Sequence, residues 1–343
     1  MRALGLLVLA SAAAIALGSG GSAPPVRLAA PAGVTAGLPM QVTVHAPASP
    51  AAARIVARSG ALRRVFSARR DGRAYRATVA LPEPGRWSLV ARVGRLQSAP
   101  RNVTARAASA RHPYAVVRGE GRTFVADGAT GRVLQLGSRG LAVHARGFSE
   151  PTGMAAHGQV VYVADFAANL VRRVDTRGRV TALAAVPQVA SVAVARSGTL
   201  YAVAIDGPLV RISPAGAVTR IADLDRPHGV AVDRDGTLLV AEDSTRVRRV
   251  DPENGRSEVV VTSPGVNRIA VGPDGTLYLA GTTRDGGSLR RVASDGTVTM
   301  LIEDLRVADV TVLPSGDLIA TAIEPGLVLR VDPRTGARTR LAG

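Results

Sequence analysis

The chain has 343 residues, a hydrophobic fraction of 46% and a formal charge of +17, enough for one to three packed domains. Only 3% of the residues are aromatic, so Val, Leu, Ile and Ala must fill the cores. Cysteine is absent, which excludes disulfides, thiolate metal sites and lipid attachment at Cys. All 43 basic residues are Arg, a usage that reads as coding bias rather than as a nucleic-acid signal. The charge is unevenly placed. Residues 24–111 hold 15 Arg against Asp71 and Glu83, a net +13, whereas residues 112–343 hold 27 Arg against 24 acids, a net +3.

Arg2, the apolar run Ala3–Leu17 and the small residues Gly18–Ala23 predict an export signal over residues 1–23. The run is shorter than the ~20 residues that span a bilayer as a helix. No later segment of the sequence is long and apolar enough to do so. The expectation is a secreted, periplasmic or envelope protein with no transmembrane segment after the signal.

Residues 24–106 carry seven segments of strand character: Val26–Ala29, Met40–His45, Arg54–Arg58, Leu62–Ser67, Tyr75–Leu81, Trp87–Val93 and Asn102–Ala105. Turns such as Ala32–Gly33, Asp71–Gly72 and Pro82–Gly85 separate them. Short strands with regular turns and no helical pattern predict a β-sandwich, with Trp87, the single Trp, in its core. The stretch resembles the immunoglobulin-like domains of exported bacterial proteins, without the cysteine bridge. Residues 107–111 read as an Ala-rich linker.

From residue 112 a unit repeats six times. Its turn glycines are Gly121, Gly158, Gly198, Gly236, Gly275 and Gly316, and a second set runs in phase from Gly140 to Gly336. A period near 40 with strand-like segments predicts an all-β, six-bladed propeller over 112–343. In the fourth unit, Pro227–Asp233, Thr237–Glu242, Val247–Asp251 and Ser257–Val261 form four strands, with an Asp-Gly turn after the first. The strands are expected to grow more polar toward the rim, and the ring to close without a strand swap.

The stretch Val230–Glu242 (VAVDRDGTLLVAE) resembles an NHL repeat, and also units of the gluconolactonase and streptogramin-lyase propellers. In this strand order the start of strand one and the end of strand two open on one face. At the channel mouth this places Asp127, Asp165 and Glu242, from the ends of strand two, beside His228 and Asn267, from the starts of strand one. Three readings compete for the cluster. Oxygen ligands Asp127, Asp165, Glu242 and Asn267 suit a hard cation such as Ca²⁺ or Mg²⁺. His228 and Glu242 suit acid–base catalysis. In the third reading the carboxylates cap the loops to strand three.

The resemblance to gluconolactonases implies a divalent metal held by a Glu, two Asn and an Asp; of these, Asn267 fits, while Ala190 and Ala308 depart. The resemblance to streptogramin lyases implies a His–Glu pair with Mg²⁺, and His228 and Glu242 are similar in kind. The leading functional expectation is an exported binding or scaffold protein that engages a small molecule or protein at the channel face. The alternative is a metal-dependent hydrolase or lyase. A ring of strand-three arginines (Arg173, Arg211, Arg249, Arg291 and Arg330) is expected to pair with neighbouring carboxylates. The basic front domain suggests an anionic envelope surface as a second partner. Nucleic acid is not expected, because aromatic stacking platforms are lacking.

Overall fold

The computed structural model describes residues 26–46, 52–283 and 286–343. The expected export signal lies outside the described residues.

Residues 113–342 form six four-stranded antiparallel sheets, each built in sequence order from strand one to strand four. The innermost strands are Pro113–Gly119, Pro151–His157, Val189–Val194, Pro227–Val232, Val266–Val271 and Val307–Val312. Innermost strands of consecutive blades pack side by side, and the sixth packs against the first, so the ring closes without a strand swap, as expected. Second strands such as Leu200–Ala204, Leu238–Glu242 and Leu318–Ala322 are buried along their whole length. Fourth strands such as Val218–Asp223 are mostly exposed. A strand buried on both faces needs a sheet above and below it, so no blade can be stable alone. Tyr201 and Leu209 of blade three share one core with Val230, Leu238 and Val240 of blade four.

Both glycine sets lie in turns at positive φ. The second set has an additional role between blades. A Cβ on Gly255 of blade four would come within 2.5 Å of the Ile221 carbonyl oxygen in blade three, and one on Gly336 of blade six within 2.5 Å of Leu301 O in blade five. Gly296 holds the same place in blade five but faces open space.

The front unit contains β1 (Arg27–Ala29), β2 (Gly33–Thr35), β3 (Pro39–His45), β4 (Ala53–Ser59), β5 (Leu62–Asp71), β6 (Ala74–Ala80), β7 (Gly85–Val93), β8 (Leu96–Gln97) and β9 (Arg101–Arg106). They form one nine-stranded sheet in the order β1-β3-β6-β5-β4-β7-β9-β2, with β8 on β7. This differs from two stacked sheets. β5 is ten residues long; Leu62–Ala68 pairs with β4 and Arg69–Asp71 with β6, so the sheet curls continuously into a half-barrel. The expected turn at Gly33 is strand β2, which pairs in parallel with β9. Trp87 sits in the core, 1% exposed, and its indole N–H donates to Glu83 O at 3.0 Å.

The front unit covers the outer edge of blade one. Val143 N donates to Ala36 O (2.9 Å), Ala108 N to Leu141 O (2.8 Å) and Arg139 Nη1 to Ser59 Oγ (3.0 Å). Ala108 and Ala110 of the connecting stretch are buried. An edge strand covered in this way no longer offers a free row of backbone groups.

Gly296→Ala should cost only the left-handed backbone conformation, about 1–2 kcal/mol. Gly255→Ala must also push blades three and four apart and should cost more. Paired urea denaturation curves check the ranking, and equal losses would contradict it.

Candidate functional site at the channel mouth

Every innermost strand shifts register against strand two at its second residue, a β-bulge at Tyr114, Thr152, Ala190, His228, Asn267 and Ala308. They include His228 and Asn267, the starts of strand one expected at the channel mouth from the sequence, and the alanines Ala190 and Ala308. A bulge leaves one residue outside the ladder and bends the strand, which frees its carbonyl for other partners. One side chain takes four of these carbonyls. Arg268 Nη2 donates to Thr152 O (3.0 Å) and Ala190 O (3.3 Å), and Nη1 donates to Asn267 O (3.1 Å) and to His228 O. The guanidinium therefore joins blades two, three, four and five across the channel.

The column that follows the bulge explains how it fits. Its members are Ala115, Gly153, Ser191, Gly229, Arg268 and Asp309, small in the first four blades and charged in the last two. A Cβ on Gly153 would lie 2.7 Å from Ser191 Cα, and one on Gly229 would lie 3.2 Å from Arg268 Cα. Small residues there let the strands crowd together around the arginine. Asp309 completes the ring on the other side. Its Oδ2 accepts from Val116 N of blade one at 2.9 Å, and its Oδ1 from Val310 N at 2.9 Å. Arg268 and Asp309 line a cavity of about 300 Å³ walled mainly by Val and Ala. Burial pushes the Asp309 carboxyl up to about 6, against the opposing pull of Arg268 and the two N–H groups. Burial also pulls the Arg268 guanidinium down, and Asp309 partly restores it; arginine remains charged at physiological pH.

The strand-two carboxylates are buried and engaged. Asp127 (0% exposed) accepts from His112 N (2.9 Å) and Thr130 Oγ1 (2.6 Å). Asp165 (0% exposed) accepts from Ser149 N and Glu150 N at 2.9 and 2.8 Å and pairs with Arg172 at 2.7 Å. Glu242 accepts from Asp225 N (2.9 Å), Arg246 Nε (2.6 Å) and Arg248 Nε (2.9 Å). In each case the carboxylate ties down the loop that enters strand one of its own blade. The capping expected on the loop to strand three is present at Asp127, which accepts from Thr130 Oγ1; the bonds to His112, Ser149, Glu150 and Asp225 add the loop into strand one. Blade three, with Ala204 at this position, uses other groups: Gln188 N donates to Asn169 Oδ1 (2.7 Å), and Gln188 Nε2 to Asp206 (2.5 Å).

Burial pushes Glu242 up, but the Asp225 N–H and the two arginines outweigh it and hold the carboxyl below the usual glutamate range. His228 is half-buried and its pKa is lowered, chiefly by burial and by Arg268 and Arg226, with Asp243 opposing. Asn267 Oδ1 accepts from Ser244 Oγ at 2.9 Å. Among the described residues, no three His, Asp or Glu side chains gather as a metal centre would require. The donor set proposed for a cation thus does not fit one well: three carboxylates are spent on loops and arginines, and a guanidinium holds the carbonyls at the axis. The strand-three arginines pair on the surface as expected in Arg211–Glu253 (2.6 Å), Arg249–Asp233 (3.0 Å) and Arg330–Asp317.

Two outcomes follow. Asp165→Ala strands Arg172 and two loop N–H groups and should cost about 3 kcal/mol in chemical denaturation; a loss near zero would contradict the capping role. Asp309 has a folded pKa of about 6 against an ordinary 3.8, so the folded state binds its proton more tightly. Its contribution to stability is full below the ordinary value and is lost as pH rises toward 6. The stability of the wild type relative to Asp309→Asn should therefore fall between about pH 4 and 6. A flat or rising difference would contradict the assignment.

No family model matches the chain, and no curated protein matches it. Solved structures do. A structural-genomics protein of unknown function from Bacteroides thetaiotaomicron aligns over 90% of this chain and 98% of its own, with a TM-score of 0.56 and 14% identity. That share is too large for the propeller alone and takes in much of the front unit. A gluconolactonase from Xanthomonas campestris aligns over 62% of this chain and 84% of its own, with a TM-score of 0.55 and 19% identity. A luciferin-regenerating enzyme aligns over 63% and 85%, with a TM-score of 0.51 and 11% identity. At these identities the likeness is one of fold.

Proposed function

We propose that this is an exported, NHL-type binding or scaffold protein. Its propeller face engages a ligand or protein partner without a resident metal, and its half-barrel front unit braces blade one. The observation that carries this reading is Arg268. A hard cation at the channel axis would need oxygen ligands at ~2.3–2.6 Å. The oxygens nearest the axis already hold a guanidinium, whose charge repels a second cation. The compensating carboxylate beside it, Asp309, accepts from Val116 N and Val310 N, and Asp127, Asp165 and Glu242 are committed to loop N–H groups and arginines.

The second reading is the gluconolactonase- or lyase-type hydrolase. It is favoured by the fold of the Xanthomonas enzyme and by His228, which burial and two arginines keep neutral near pH 7, as a general base must be. In that reading Glu242 would be its partner, and Asp127, Asp165, Glu242 and Asn267 would hold Ca²⁺ or Mg²⁺. The charges acting on His228 come instead from Arg268, Arg226 and Asp243.

Thermal melting in EDTA, and then with millimolar Ca²⁺ or Mg²⁺, separates the two readings, because a ligand of the folded state must raise its stability. The binding-module reading predicts superimposable curves. A rise of several degrees on adding either metal, reversed by EDTA, would favour the hydrolase reading.

A further inference from the structure

Surface arginines of the propeller such as Arg211, Arg249 and Arg330 are ion-paired, whereas a group of arginines set opposite one another on the front unit has no such partner among the described residues. On the outer face of the half-barrel, Arg54, Val56 and Arg58 of β4 lie between Arg63 and Val65 of β5 and Val90 and Arg92 of β7. Arg54 stands directly opposite Arg92, and Arg58 directly opposite Arg63. Like charges set opposite each other across a sheet destabilise it. Elsewhere in the same unit this is relieved: Arg69 faces Arg76, and Arg76 is bridged to Asp71 at 3.0 Å. At the four outer-face positions nothing relieves it. All four arginines are exposed, and none has a hydrogen-bonding or ionic partner among the described residues. The only other acid of residues 24–111, Glu83, lies beside Gly137 of blade one.

The face is concave. Arg54, Arg63 and Arg92 line a groove of about 540 Å³ floored by Val56 and Val65. Val56 is only 7% exposed although it points outward, as expected where arginine stems lie over an apolar floor. The two arginine pairs are four residues apart along β4, about 13 Å at strand rise. A groove with cations at both ends of an apolar strip suits an extended chain that carries repeated negative groups. It suits a bilayer poorly, because Val65 is the large hydrophobic side chain the strip exposes and no aromatic anchor accompanies it.

We propose that this outer face is a docking surface for a linear, phosphate-bearing polyanion, gripped by Arg54, Arg58, Arg63 and Arg92. The occupant sits between the opposed pairs and relieves their repulsion, so binding and stability are coupled with a defined sign.

The test uses the full chain and long-chain inorganic polyphosphate. Binding should weaken with salt with a log–log slope of about −3 for four phosphate contacts, and polyphosphate should raise the melting temperature. The double variant Arg58→Glu/Arg92→Glu replaces each like-charge pair with an opposite one. It should bind at least about tenfold more weakly and yet melt no lower than the wild type without ligand. A control of equal charge change on the propeller, Arg177→Glu/Arg196→Glu, should keep wild-type affinity. Equal weakening in both variants would overturn the surface in favour of diffuse attraction to a basic protein. Binding to phosphatidylglycerol vesicles but not to polyphosphate would overturn the polymer assignment. Tighter binding to single-stranded DNA than to polyphosphate of equal charge would do the same.

Discussion

One guanidinium bonded to main-chain oxygens from four blades holds the centre of this molecule. A propeller brings six innermost strands to one axis, and crowding there forces small side chains and bulged backbone. Each bulge frees a carbonyl that must find a donor or stay hydrated. Arg268 supplies donors for the carbonyls of Thr152, Ala190, His228 and Asn267, while Asp309 takes the Val116 N–H where blade six meets blade one. Together they turn a ring held by side-chain packing into one with fixed polar connections across its centre. The charge of each is made tolerable by the other and by backbone dipoles, which is the condition for keeping ionised groups inside a protein.

This arrangement decides what the channel mouth can do. The axis carries the Arg268 guanidinium with the Asp309 carboxylate coupled to it. The acids at the ends of the second strands are engaged as well, each carboxylate accepting two or more hydrogen bonds. Fold likeness to a gluconolactonase shows a shared propeller and not what a channel mouth holds. The same ring of positions can be dressed with metal ligands or, as here, with an arginine and loop caps.

Much of the architecture was legible in the sequence. The glycine period gave six blades, and the alternating segments gave their strands; the residues read as the start of strand one proved to be the bulges. The uses of the carboxylates were less legible, because an acid at a strand end looks the same whether it will bind a metal or a neighbouring N–H. Arg268 was passed over, although the column Ala115, Gly153, Ser191, Gly229, Arg268, Asp309 held the signal: two charges where the other blades allow only small residues. In the front unit, β2 was missed because its partner β9 is some seventy residues away and parallel. The continuous curl was missed because the arginine-rich end of β5, Arg69–Asp71, lacks the apolar alternation that marks a strand.

The central claim is that Arg268 joins the blades, and Arg268→Met tests it most directly, since Met keeps much of the length and loses the donors. Equilibrium urea unfolding should show the variant less stable by about 3 kcal/mol or more, given charge-assisted bonds to several carbonyls. The Asp309 carboxyl, having lost its cation, should titrate at higher pH in the variant. An unchanged unfolding midpoint together with an unchanged Asp309 titration would contradict the account.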